Sequence, residues 1–235
     1  MKKKEMLDSY YTIRKIIGIL GLLLPVVVFV AHEGVMLSSI SHYYYTKSAV
    51  FFIAILSSFG FFLISYRGYE KEETEKISDN TITHIGGFAV LLLVLIPTVC
   101  ICKDCDMITV DFSNGFPLYG HENKLIGSIH LVSAGIFLFS MGWMSIYKFT
   151  KGKTTKNHAF YKVCGYTVWI CIGILFIEFV MEKILDKSFR ATLYDVFILE
   201  TIAIISFGSS WLVKGKALKD IHNLKNKVLL KFIKS

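Results

Sequence analysis

Residues 125–149 read LIGSIHLVSAGIFLFSMGWMSIYKF. From Leu125 to Tyr147 no Asp, Glu, Lys or Arg interrupts the run. A helix needs roughly 20 apolar residues to cross a hydrocarbon core about 30 Å thick, and this stretch exceeds that. Its apolar residues do not alternate, which argues against a barrel strand. Inside lipid every backbone N–H and C=O needs an internal partner, so the run must be a helix.

Five further runs of this kind flank it. They lie at about 13–31, 47–66, 82–102, 161–181 and 194–213. The expectation is an all-α, six-span membrane bundle over residues 1–213, followed by a tail over 214–235. Composition agrees: 54% of the 235 residues are hydrophobic and 19% charged, against about 25% charged in soluble domains. The mean hydropathy is +0.55. Pro25 and Pro97 fall inside the first and third runs, where each removes a backbone hydrogen bond and predicts a kink. Gly18, Gly21, Gly86, Gly87, Gly135 and Gly142 predict close helix approach, although no GxxxG signals dimerisation.

The net charge of +8 sits between apolar runs rather than on a domain of its own, which excludes a soluble nucleic-acid binder. Twenty of the 26 Lys and Arg fall on the N-terminal flank, the second and fourth connections and the tail. The positive-inside rule therefore places both termini in the cytoplasm of an inner or plasma membrane protein. Lys2–Lys4 resemble the charged start of a signal peptide. The late apolar run, Pro25 and the absence of a small-x-small site before His32 favour a retained span. In the tail, Leu218, Ile221, Leu224, Val228, Leu229 and Phe232 recur at helical spacing among lysines. That pattern predicts an amphipathic helix on the anionic inner leaflet.

Ionisable groups inside spans are expensive, so they are functional candidates. This topology puts His130, Glu178 and Glu200 within roughly 10 Å of the outer boundary. The first outer loop adds Ser41 and His42, followed by Tyr43-Tyr44-Tyr45-Thr46. The expected site is an outward polar pocket of Ser41, His42, His130, Glu178 and Glu200 that binds a lipid headgroup or small polar ligand. His130 would be its proton-sensitive member. The bland reading of the same residues is interhelical hydrogen bonding, with the tyrosines at headgroup level. A further alternative is an intramembrane lipid hydrolase or transferase. There His42 or His130 would act as base, Ser41 as nucleophile, and Glu178 or Glu200 would orient the base. A membrane-perturbing effector or pore lacks a charged stripe along any span. No HExxH or HxxxH pattern occurs, so neither a metal nor another cofactor is expected. Cys100, Cys102 and Cys105 leave a structural role, a disulfide and a metal knuckle open.

Several short motifs carry a resemblance. They are Ser39-Ile40-Ser41-His42-Tyr43-Tyr44-Tyr45-Thr46, Ser65-Tyr66-Arg67-Gly68-Tyr69, Ile85-Gly86-Gly87 to Pro97-Thr98, Ile129-His130-Leu131-Val132-Ser133-Ala134-Gly135, and residues 199–211. With these the chain resembles uncharacterised bacterial six-span membrane proteins and, more distantly, the DRAM/Sfk-type membrane proteins. That family shows an Ile-Ser motif after the first span, His-x-x-x-Ala at the start of the fourth and an acidic residue in the sixth. Ser41, His130, Ala134 and Glu200 take those places. His42 stands where those relatives usually carry Asp. The resemblance implies six spans and, in some relatives, lipid organisation or lipid-anchor remodelling.

Overall fold

A computed structural model describes residues 2–68, 71–73, 75, 77–99, 123–151, 157–185 and 192–217. Cys100, Cys102 and Cys105, the rest of the connection between the third and fourth apolar runs and most of the basic tail lie outside the described residues. Among those described, all regular structure is helical. The elements are α1 (Lys2–Ala31), a 3-10 turn (Ile40–Tyr45), α2 (Ala49–Ser65), α3 (Asp79–Leu95), α4 (Lys124–Trp143), α5 (His158–Leu185) and α6 (Asp195–Lys214). A π-helical turn, Met144–Lys148, extends α4.

Four helical segments are long and apolar enough to cross a membrane: Ser9–Ala31, Lys124–Lys148, His158–Glu182 and Asp195–Lys214. Helices α2 and α3 have 17 residues each, or about 25 Å of axial length. Val30, Val50, Phe61, Phe88, Val132, Val163, Ile170 and Phe176 each expose more than half of their area. Apolar surface of this extent, spread over the outside of the helices, is what a membrane protein turns towards lipid.

Each helix packs on the next in sequence, and α6 closes the ring against α1. Alternate helices fill the centre. Phe59 of α2, Phe137 of α4 and Phe207 of α6 form a triangle with ring centroids 5.4–5.9 Å apart. Glycines let three neighbouring pairs approach closely. A Cβ on Gly18 would stand 2.7 Å from the Gly208 carbonyl of α6. One on Gly87 would stand 3.0 Å from the Gly60 carbonyl, and one on Gly165 would stand 2.8 Å from the Gly142 carbonyl. With lipid outside and no hydrophobic drive between helices, such backbone proximity is a main source of packing energy. Gly135 has no such contact: its Cβ would meet nothing within 4 Å.

The lysine-rich end of the bundle is closed by two buried cations, Arg14 and Lys148, and the half-buried Lys214. Arg14 Nη2 donates to the Tyr66 hydroxyl at 2.6 Å. Lys148, 3% exposed, stands 3.1 Å from Glu75 and 3.3 Å from Asp79, and it also donates to the Ile77 carbonyl. Lys214 donates to the Phe149 carbonyl at 2.8 Å and lies over the Phe149 and Tyr161 rings.

Two local features shape the opposite end. Helix α1 stops in a Schellman turn: Gly34 N–H donates to Phe29 O and Glu33 N–H to Val30 O, each at 3.0 Å. Glu33, at the C′ position, holds the positive φ of 58° that this turn requires, and Gly34 follows at 77°. Helix α3 ends at Leu95, earlier than the apolar run to Cys102 suggests. Pro97 has no N–H for the Leu93 carbonyl, so the helix terminates there rather than kinking and continuing. Pro25, by contrast, lies inside α1.

Candidate functional site

The chain between α1 and α2 turns back into the bundle. Ser38, Ser39, Ile40, His42, Tyr43 and Tyr45 are all buried. Non-helical backbone is tolerated at such a position only when protein groups satisfy it, and here they do. The Ser38 carbonyl accepts from Phe197 N–H, in the first turn of α6, at 3.0 Å. Ser39 caps the 3-10 turn: its Oγ accepts from Ser41 N–H at 3.1 Å. Tyr43 and Tyr45 anchor the turn. Tyr43 donates to Val35 O at 2.8 Å and Tyr45 to Thr98 O at 2.5 Å. Burial pushes the Tyr43 pKa up, which keeps it a donor. On the exposed rim, Lys47 hydrogen-bonds Glu33 at 2.6 Å and holds its carboxyl below the usual range.

Glu200, in the second turn of α6, fixes this segment. Its Oε2 accepts from Ile40 N–H at 2.7 Å and from Ser39 Oγ at 2.9 Å. A carboxylate accepting from both backbone and hydroxyl is among the stronger arrangements for holding a loop. It leaves Ser41, two residues on, facing α4.

There Ser41 meets His130. His130 is 1% exposed, and its Nε2 stands 2.9 Å from Ser41 Oγ. On the other side of the ring, Nδ1 lies 2.8 Å from Ile96 O and 3.1 Å from Leu93 O. Both oxygens are carbonyl acceptors, so Nδ1 must carry the proton. In the neutral ring Nε2 is then the acceptor, and Ser41 donates to it. The Leu93 carbonyl is the one that Pro97 leaves without a helical donor. The proline thus frees one of the two carbonyl acceptors that fix the histidine tautomer.

These groups open onto a cavity of about 490 Å³ between α4, α5 and α6. Its lining includes the polar side chains of Ser38, Ser39, Ser41, His42, His130 and Glu200, interleaved with Leu131, Ala134, Phe179 and Val196, and with Lys124 and Glu182. A smaller apolar recess of about 40 Å³ runs beneath it towards the bundle centre, and Ser41, Ala134 and Glu200 line both.

Of the five residues expected at the site, Ser41, His42, His130 and Glu200 line this cavity. Ser41 pairs with His130 and not with its neighbour His42, whose Nδ1 lies 2.8 Å from Ser38 Oγ. Glu200 holds the Ser39–Ile40 backbone, while carbonyls orient the His130 Nδ1. Glu178 is not among the lining residues; Glu182, one turn further along α5, is. Glu182 was missed because it falls beyond the apolar run. The carbonyls that orient His130 have no side-chain signature, although Pro97 marks one of them. Among the described residues no cluster of three His, Cys, Asp or Glu is arranged to hold a metal. No family model, curated protein or solved structure matches the chain.

Proposed function

We propose that the protein is a six-span component of the inner or plasma membrane, with both termini cytoplasmic, and that its outward pocket binds a membrane amphiphile by its polar headgroup. Helices α2 and α3, at the short end of the spanning range, complete the six spans. Lysine distribution sets the orientation, with the basic tail against the anionic inner leaflet. This reading keeps the family resemblance as part of the proposal.

One observation carries the ligand reading. A cavity of about 490 Å³ brings serine, histidine and glutamate side chains together with leucine, phenylalanine and valine in one lining. Ligand pockets combine apolar walls with a few converging polar groups in this way. Lys124 and Glu182 add one charge of each sign at exposed positions, which suits a zwitterionic headgroup. Extra volume of this size is not needed for interhelical hydrogen bonds alone.

The test is lipid retention. Protein extracted in mild detergent should carry phosphatidylethanolamine or a similar zwitterionic lipid into native mass spectrometry. His130→Ala and Glu200→Gln should lower the retained fraction in variants that stay monodisperse. Equal retention in both would refute the proposal.

A further inference from the structure

The small recess under the main cavity narrows what the site can take and gives Ser41 a role beyond binding. We propose that Ser41 is an acylatable nucleophile with His130 as its base, acting on esters of a short acyl group, about two to four carbons long, carried by the amphiphile. The proposal rests on the pocket being a ligand site.

Three features converge on it. Ser41 Oγ donates to His130 Nε2 at 2.9 Å, and the opposite nitrogen is committed to the Leu93 and Ile96 carbonyls. The ring is therefore held in the tautomer that can accept the hydroxyl proton, with carbonyls in the place an acidic residue takes in the commoner triads. Ser41 also lines both cavities. Finally, the recess is walled by Leu24, Phe52, Leu56, Phe137 and Ile204 and measures about 40 Å³. That is room for roughly three water-sized groups in a setting with few polar partners. A short hydrocarbon end fits there; a fatty chain does not.

The step balances without any outside oxidant or reductant. Ser41 Oγ attacks the ester carbonyl carbon as its proton passes to His130 Nε2. The tetrahedral intermediate collapses, the ester C–O bond breaks, and the leaving alkoxide takes the proton from His130. The products are acyl-Ser41 and a free alcohol. An acceptor hydroxyl or water then gives its proton to His130 Nε2, attacks the acyl carbon and releases Ser41, whose oxygen recovers that proton.

The full-length protein in nanodiscs would be incubated with p-nitrophenyl acetate or p-nitrophenyl octanoate and followed by intact-mass and peptide mass spectrometry. The expected result is an acetyl adduct on Ser41, absent in Ser41→Ala, with little octanoyl adduct. His130→Gln should slow its formation roughly 100-fold or more. Leu56→Phe, which fills the recess and leaves both reacting groups in place, should also suppress it and serves if His130→Gln fails to fold. No adduct on Ser41, or equal acetyl and octanoyl labelling, would overturn the inference. So would labelling indifferent to His130→Gln, or to Leu56→Phe where the former does not fold. Retention of zwitterionic lipid, measured on the same samples, separates the two proposals. Lipid held without acylation refutes the nucleophile and leaves the binding site standing.

Discussion

Pro97 and His130 are linked through a single oxygen. The proline deprives the Leu93 carbonyl of its helical donor, and His130 Nδ1–H supplies the replacement at 3.1 Å. A residue that ends one helix thereby contributes, with the Ile96 carbonyl at 2.8 Å, to the protonation pattern of a side chain on the next. The neutral His130 ring should be the Nδ1–H tautomer, read directly from its 15N shifts in selectively labelled protein. An Nε2–H ring would mean that Ser41 is not donating to it.

Glu200 and Ser39 form a second cross-chain tie. Glu200→Gln removes the charge from the acceptor of Ser39 Oγ and Ile40 N–H. Hydrogen bonds to charged groups contribute about 1.5–3 kcal/mol, so the variant should unfold at a clearly lower temperature. Ser39→Ala should cost less. The double variant should lose less than the sum, because both changes act on the same contact. Strict additivity in a thermal-shift cycle would show that the tie is not made.

At the other end of the bundle, Lys148 stands between Glu75 and Asp79. Lys148→Ala would remove the cation 3.3 Å from the buried Asp79 carboxylate, while Lys151 keeps its ion pair with Glu75. Breaking such a group by removing one partner typically costs about 3–5 kcal/mol. Lys148→Met combined with Asp79→Asn should recover much of the loss, since the remaining buried charge falls. If Lys148→Ala unfolds at the wild-type temperature, the cluster does not close the bundle.

The glycines divide into two kinds. Gly18→Leu forces a side chain into the space held by Gly208 and Leu212, whereas Gly135 faces open space. The first substitution should separate α1 from α6 and sharply reduce folded yield. Gly135→Ala should be neutral or stabilising by up to about 1 kcal/mol through helix propensity. Similar behaviour of the two variants on size-exclusion chromatography would contradict the packing described.

The helical class was legible because uninterrupted apolar runs of spanning length leave few other solutions. Similar depth for His130 and Glu200 could also be inferred, since α4 and α6, two helices apart, start from the same end of the bundle. The pairing within the site could not. Whether Ser41 or His42 faces His130 depends on the 3-10 turn, and that turn depends on Ser39 and Glu200 meeting across 161 residues of chain. Glu178 and Glu182 lie one turn apart on α5, and hydrophobicity favoured the former while cavity shape selects the latter. The end of α3 was misjudged for a related reason. Apolar character continues past Pro97, and hydropathy does not register a missing N–H.

Photocrosslinking tests the central claim, that the outer cavity holds an amphiphile, most directly. A phosphatidylethanolamine analogue with a diazirine beside its headgroup would be incorporated into nanodiscs with the wild-type protein, irradiated, and the adducts mapped by peptide mass spectrometry. The account predicts adducts concentrated on residues 127–134 and 196–200 and around Phe179 and Glu182, and reduced in the folded Glu200→Gln variant. Adducts spread over the lipid-facing surfaces of α1 and α5, with none enriched at the cavity, would contradict it.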